Sequence, residues 1–412
     1  YISVTGVQTC ALPICHPLAG LGVVAWPLNF AVFFWCLHWQ ARDEIATVNG
    51  ARYRFGWLLL ALLATWEAVW LYDHRYYDWS AFMGVLGLLA GGIRYHLRER
   101  DNVAASSISS WALVWGMGFW LASGFAYVER RYDPDLHIAY GLGFAAGTCL
   151  LSEIFGSWIA WAALRRAQLL LLPAMALALV LQVERHLHPA ADEAWAAWGG
   201  AIAALFYILR RQQQAGIDIA ARLQYVLTVW ITTGLLAWEA AWQCSMELPG
   251  SSWSFAMWGA LPAIALMLLA RFGSMFEPWR EDFAAFRTNC LGPIAVYVVL
   301  WSLASSGNAA VSTPWTYLPL LNPVDLAQAA VMFALVCWAR TDEASATKNA
   351  QAIVFASLGV LWLNCILLRS IHHWFGVPYE LHDMFRSVVV QDRKSTRLNS
   401  SHTDISRMPS SA

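Results

Sequence analysis

The stretch GLGFAAGTCLLSEIFGSWIAWAALRR, at Gly141–Arg166, combines a long apolar run with one carboxylate and two closing arginines. A helix needs about 20 largely apolar residues to cross the hydrocarbon layer of a bilayer. The run from Ile138 to Leu164 meets that requirement, so we expect one membrane-spanning helix over it. Glu153 then lies near the middle of the span, where a charged group is costly.

The composition of the whole chain agrees with this interpretation. Of 412 residues, 59% are hydrophobic and 13% are charged, whereas soluble domains carry about 25% charged residues. The 25 tryptophans suit a protein with two membrane–water interfaces. The sequence therefore predicts a polytopic membrane protein whose main partner is the lipid bilayer, with no nucleic-acid partner.

Apolar runs separated by charge clusters predict an all-α transmembrane helix bundle of about twelve spans. Backbone groups left unpaired in lipid are prohibitively costly, and the alternation typical of a barrel strand is absent, so helices are expected. The predicted spans are 18–39, 55–72, 79–95, 107–128, 138–164, 168–183, 194–209, 223–243, 253–270, 291–305, 324–339 and 350–371.

The loops between these spans differ in basic charge, and we expect the basic side to be cytoplasmic. One side holds Arg42, Arg52, Arg54, Arg94, Arg98, Arg100, Arg165, Arg166, Arg210, Arg211, Arg222, Arg271, Arg280, Arg287, Arg340 and Lys348. The other side holds Arg75, Arg130, Arg131, Arg185, Arg369 and Arg386. Within the spans, GxxxG spacing at Gly87–Gly91 and Gly143–Gly147 favours close helix packing.

Two pairs of similar segments predict repeated αα-hairpins. TWEAVW at 65–70 resembles AWEAAW at 237–242, and YVERRYDP at 127–134 resembles QVERHLHP at 182–189. Each carries one glutamate near the outer end of its helix, so a candidate outer rim comprises Glu67, Glu129, Glu184, Glu239, His372, His373 and Arg369. The alternative is that these polar residues only place helix ends in the headgroup layer.

Glu153, Asn29 and Asn364 are candidates for a buried polar path. An ionisable residue inside a membrane marks an ion or proton path by default, and burial leaves it protonated or paired. Asn29 and Asn364 are mid-span amides able to bond it or each other. The alternative is that all three only fasten helices together.

Other chemistry is weakly indicated. His372 and His373, with His186 and His188, could bind a metal or an anionic lipid headgroup, but no HExxH pattern accompanies them. Since the cysteines also stand singly, we expect no metal, disulfide framework or cofactor. Arg369 is expected to extend its charge to the headgroups.

LLNPVDLAQ at 320–328 predicts the start of a helix. Asn322 is the cap, Pro323 takes the first helical position, and the Asp325 carboxylate interacts with the helix dipole. No catalytic residue is indicated, and an enzyme is the least supported class.

The two ends of the chain look unrelated to the rest. VTGVQTCALPI at 4–14 and DRKSTRLNSSH at 392–402 can be encoded by opposite strands of one DNA segment, residue by residue. Both resemble translated sequencing adapter. We therefore expect 1–14 and 392–412 to be artefacts flanking a transmembrane domain at 15–391 whose native ends are missing.

Two further stretches carry a family resemblance: YLPLLNPVDLAQA at 317–329 and LGVLWLNCILLRSIHHWFGVPY at 358–379. Together they resemble the C-terminal part of a bacterial predicted membrane-protein family, domain of unknown function 2339. The resemblance implies a multi-pass protein of the bacterial cytoplasmic (inner) membrane and no activity. The leading hypothesis is an envelope transporter or channel-like protein that uses Glu153. The alternatives are a non-transporting scaffold and, with less support, an enzyme on lipid-linked substrates, with membrane-protein partners and oligomeric state open.

Overall fold

The computed structural model describes residues 28, 31–33, 35, 50–96, 108–185, 187–214, 219–275, 283–341 and 345–379, with side chains at 50–57, 213–214, 219–221 and 345–350 excepted. Within these ranges lie eleven helices longer than ten residues and no strand. They are α1 Gly50–Asp73, α2 Tyr77–Arg94, α3 Ile108–Arg131, α4 His137–Trp158, α5 Leu171–Glu184, α6 Ala194–Gln214, α7 Ile219–Glu247, α8 Trp253–Phe272, α9 Gly292–Ala304, α10 Pro323–Ala339 and α11 Ser345–Phe375.

The all-helical architecture predicted from the sequence is confirmed, but twelve spans are not. Among the described residues, six segments are long and apolar enough to cross a membrane: Ile108–Arg131, Pro134–Trp158, Ala162–Glu184, Trp253–Met275, Phe283–Gly307 and Gln351–Phe375. Helix α10 is apolar but shorter. Helix α6 coincides with a predicted span that is not among these six segments. Its last residues, Arg210, Arg211 and three glutamines, lower its apolar character. The first predicted span, 18–39, falls mostly outside the described residues.

The chain divides into two compact units, residues 1–178 with 192–204 and residues 179–191 with 205–412. In the first unit, α2 and α3 meet backbone to backbone. A Cβ atom added at Gly84 would lie 2.7 Å from the Gly116 carbonyl oxygen, and one added at Gly116 would lie 2.6 Å from the Gly84 oxygen. Only glycine permits this approach. Of the spacings predicted to pack closely, Gly87 meets the Trp115 ring, whereas Gly143 and Gly147 face open space.

Enlarging Gly84 is therefore expected to destabilise the first unit. Gly84→Leu drives a side chain into the backbone of α3, which cannot move aside, so we expect a loss of about 1–3 kcal/mol. Thermal unfolding in detergent, followed by circular dichroism, measures it. Gly118→Leu is the matched control, because a Cβ atom at Gly118 meets nothing within 4 Å. Equal unfolding midpoints for the two variants would contradict the close contact.

The helix predicted over 138–164 ends earlier, at Trp158. Ala160 adopts a left-handed conformation (φ 54°), and the Trp161 amide then donates to the Gly156 oxygen at 2.8 Å. The reversal buries Trp161 to 1% exposure against Leu113 and Met117, residues of α3. The free energy gained by burying this large aromatic ring exceeds what continuing the helix would contribute. Glu153 consequently lies in the last two turns of α4 instead of midway along a long span.

In the second unit, α8 packs against α7, α9 and α10. The Trp301 ring of α9 lies against Gly259 of α8, where an added Cβ atom would approach the ring to 2.3 Å. The segment between α9 and α10 returns to the start of α8, because the Ser252 amide donates to the Val311 oxygen at 2.8 Å and the Val311 amide donates to Ser252 Oγ at 2.9 Å. Two residues of this segment, Ser305 and Asn308, bond to Arg369 of α11.

Candidate functional site

A fully buried arginine occupies the centre of the second unit. Arg369 lies on α11, and its side chain is 0% exposed. Around it are Asn322, Asp325 and Gln328 from the beginning of α10, each at most 1% exposed. The end of α9 and the residues after it contribute Ser305 and Asn308. We call these six residues the Arg369 network.

The sequence explains how α10 presents its part of the network. Asn322 adopts an extended backbone conformation, and its Oδ1 accepts from the Asp325 amide at 2.9 Å. Pro323 takes the first helical position, where its missing N–H is not needed. The helix start predicted at Asn322 is therefore confirmed. The cap fixes Asp325 in the first turn, and that carboxylate points to Arg369.

Arg369 uses its guanidinium to join three helices. Nη1 donates to Asp325 Oδ1 and, at 3.1 Å, to Gln328 Oε1. Nη2 donates to the Ser305 carbonyl at 2.6 Å, and Nε donates to the Asn308 carbonyl at 3.0 Å. The prediction that Arg369 extends its charge to the headgroups is wrong, because these partners hold it in the interior.

The remaining polar atoms close the network. Gln328 Nε2 donates to Ser305 Oγ at 2.6 Å, and Ser305 Oγ donates to the Ser302 carbonyl at 2.7 Å. Asp325 Oδ2 accepts from Asn322 Nδ2 and from the Leu320 amide at 3.2 Å. A buried network whose members are all satisfied specifies one arrangement of its helices. The geometry fastens α9, α10 and α11, and both charged side chains of the network, Arg369 and Asp325, are 0% exposed.

His372 and His373, predicted to lie on the outer rim, are bonded to backbone. His372 Nδ1 donates to the Val377 carbonyl at 2.6 Å, and His373 Nε2 donates to the Ala309 carbonyl at 2.8 Å. His373 stacks on Tyr317 at 4.1 Å between ring centroids. Burial raises the pKa of the Tyr317 phenol, which lies in the segment before α10. Within the described part of the chain, no three histidine, cysteine or acidic residues are placed to hold a metal, and His186 falls outside it.

Glu153 forms an ion pair in the first unit. Its carboxylate is 0% exposed, and Arg165, just after the chain reversal, is 28% exposed. Arg165 Nη2 donates to Oε1 at 2.9 Å, and Nε donates to the two carboxylate oxygens at 3.1 and 3.2 Å. The paired, buried environment expected for Glu153 is present. Asn29 lies outside the described residues, and Asn364 is exposed and donates to the Val360 carbonyl of its own helix at 2.7 Å.

The four repeated glutamates have three different environments. Glu67 is 1% exposed, and neither carboxylate oxygen has a hydrogen-bond partner among the described residues. Glu129 and Glu184 are exposed. Glu239 accepts from His188 Nδ1 at 2.8 Å, from the Ala190 amide at 3.0 Å and from Gln243 Nε2 at 2.7 Å. The similarity of the sequence segments therefore does not extend to the contacts of their glutamates.

Sequence reasoning missed the Arg369–Asp325 pair, although both residues lie in the stretches that carry the family resemblance. A family model described as "Predicted membrane protein (DUF2339)" matches residues 103–403, which include both stretches. The matched range also runs past residue 391 into the segment predicted to be adapter. No curated protein and no solved structure matches the chain.

Proposed function

Because the chain belongs to the DUF2339 family of predicted membrane proteins, we propose that it is a non-transporting scaffold in the cytoplasmic membrane of a bacterium. The observation that carries this proposal is the Arg369 network. In this network a buried charge pair and the neighbouring amide side chains hold three helices in one arrangement. Such a fixed bundle suits a protein that presents a surface to other membrane components.

The surroundings of Glu153 support the scaffold over the transporter hypothesis. A proton or ion path requires a carboxylate that water reaches from at least one side. Glu153 is fully buried, and Arg165 satisfies both of its oxygens. Through these bonds Arg165, which follows the chain reversal, is fastened to α4. Asn364, the other described candidate for the path, is bonded within its own helix.

A charge-neutral double variant tests the proposal. Glu153→Gln with Arg165→Met removes both charges, so no carboxylate remains to carry a proton and no unpaired charge is left buried. We expect this variant, if its unfolding midpoint stays near that of the unaltered protein, to complement a gene-deletion strain fully. In proteoliposomes with an internal pH dye, both proteins should give no proton flux above protein-free vesicles.

Two results would contradict the scaffold. One is proton flux in the unaltered protein that the folded double variant lacks. The other is a folded double variant that reaches the membrane in normal amount and fails to complement. Either result would make the charge of Glu153 functional and favour transport.

A further inference from the structure

A cavity of about 550 Å³ opens in the first unit, in the region where α2, α4 and α6 begin and α3 ends. Its volume lies within the range of sites for small molecules, about 300–1,000 Å³. All four of these helix ends are predicted to lie on the side opposite the arginine-rich loops. The cavity shares no residue with the Arg369 network or with the Glu153–Arg165 pair.

Six of the sixteen residues that line the cavity are aromatic. They are Tyr77, Trp120, Tyr127, Tyr132, Tyr140 and Phe144. Tyr132 and Tyr140 stack at 4.0 Å between centroids, and Trp120 Nε1 donates to Thr148 Oγ1 at 3.0 Å. These contacts fix the rings before any ligand arrives. Ring faces carry negative electrostatic potential and attract cations.

Two carboxylates and an unpaired hydroxyl also line the cavity. Asp78 and Glu193 are both exposed, and Glu193 Oε2 accepts from the Tyr140 hydroxyl at 3.2 Å. The Ser123 side chain is 0% exposed, and its hydroxyl has no hydrogen-bond partner in the part of the chain that is described. Among the residues that line this cavity, none is basic. Both charges and rings therefore favour a positively charged occupant.

Two glycines line the cavity and have different surroundings. Gly124 lets the Phe144 ring approach so closely that a Cβ atom there would lie 2.1 Å from it. Gly143 also lines the cavity, and a Cβ atom added to it would meet nothing within 4 Å. A side chain introduced at position 143 would therefore begin in open space.

We infer that this cavity binds the primary ammonium group of an organic amine. The rings enclose the alkyl part next to the charge, the two carboxylates neutralise the charge, and the Ser123 hydroxyl supplies an acceptor for an N–H group. Two sources share this chemistry: the ethanolamine headgroup of a lipid and a free alkylamine. The inference is independent of the scaffold role.

Binding by the full chain in detergent micelles tests the inference. Isothermal titration calorimetry compares n-butylammonium chloride with butan-1-ol, an uncharged molecule of similar size. Native mass spectrometry compares retention of dioleoylphosphatidylethanolamine with that of dioleoylphosphatidylglycerol. We expect at least tenfold tighter binding of the ammonium compound or preferential retention of the ethanolamine lipid. Binding of the free amine identifies a soluble amine as the ligand, and retention of the lipid alone identifies the headgroup.

Two variants locate the site. Gly143→Leu fills the cavity, and Asp78→Asn with Glu193→Gln removes its charge while leaving its shape, so each should weaken binding at least tenfold. Gly147→Leu is the matched control, one turn along α4 and also facing open space outside the lining, and it should bind as the unaltered protein does. The inference would be overturned if butan-1-ol bound as tightly as the ammonium compound and both lipids were retained equally. No binding of any of these compounds, or an equal loss in the control, would also overturn it.

Discussion

Replacing Arg369 with methionine is expected to lower the free energy of unfolding by about 3–5 kcal/mol. Methionine fills a similar volume but leaves the Asp325 carboxylate charged and buried at 0% exposure. It also removes the donors to the Ser305 and Asn308 carbonyls. Unfolding in detergent, by heat or by denaturing surfactant, measures the loss.

The double variant Arg369→Met with Asp325→Asn separates the charge from the packing. With no charge left in the interior, we expect it to recover at least half of the stability lost by the single variant. Arg340→Met is the control in the same unit, because Arg340 is exposed and should change stability by less than about 0.5 kcal/mol. A double variant less stable than the single one would rule out the charge pair as the cause.

Replacing Arg165 with methionine is expected to cost about 2–3 kcal/mol. The loss is smaller than for Arg369, because Arg165 is 28% exposed and solvent screens part of its charge. The Glu153 carboxylate remains at 0% exposure without its partner, and α4 loses its side-chain link to Arg165. Thermal unfolding of the purified protein gives the size of the effect.

Arg166→Met is the matched control for this prediction, since Arg166 is the next residue and is exposed. Glu153→Gln should cost less than Arg165→Met, because a neutral amide leaves no charge in the interior while still offering an acceptor to Arg165. If Arg165→Met and Arg166→Met were equally stable, the pair would not contribute to stability.

Helix content was predictable because lipid demands long apolar runs, and α10 and α11 begin and end within a few residues of the prediction, apart from the extra turns of α11. Twelve spans are not confirmed, because six segments of the described residues are long and apolar enough. A run such as α6 falls short because it ends in Arg210, Arg211 and three glutamines. The end of α4 was missed for a different reason. No glycine or proline marks Ala160, and only the burial of Trp161, visible in three dimensions, explains the reversal.

Local chemistry was easier to predict than distant pairing. The Asn322 cap depends on residues three positions apart, so the sequence alone identified it. The partner of Asp325 lies 44 residues away, and nothing between them signals the contact. One signal was present: each stretch that carries the family resemblance contains one buried charge, of opposite sign. The cavity was not predicted, because its lining comes from four separate segments of the chain.

The wide spacing of Asp325 and Arg369 has a consequence for biosynthesis. A ribosome adding 5–20 residues per second makes the carboxylate about 2–9 s before the guanidinium that neutralises it. During that interval α10 has an uncompensated acid near its start, which disfavours its entry into lipid. Stable insertion of α10 is therefore expected to wait for α11, so that the two helices enter the bilayer as a pair.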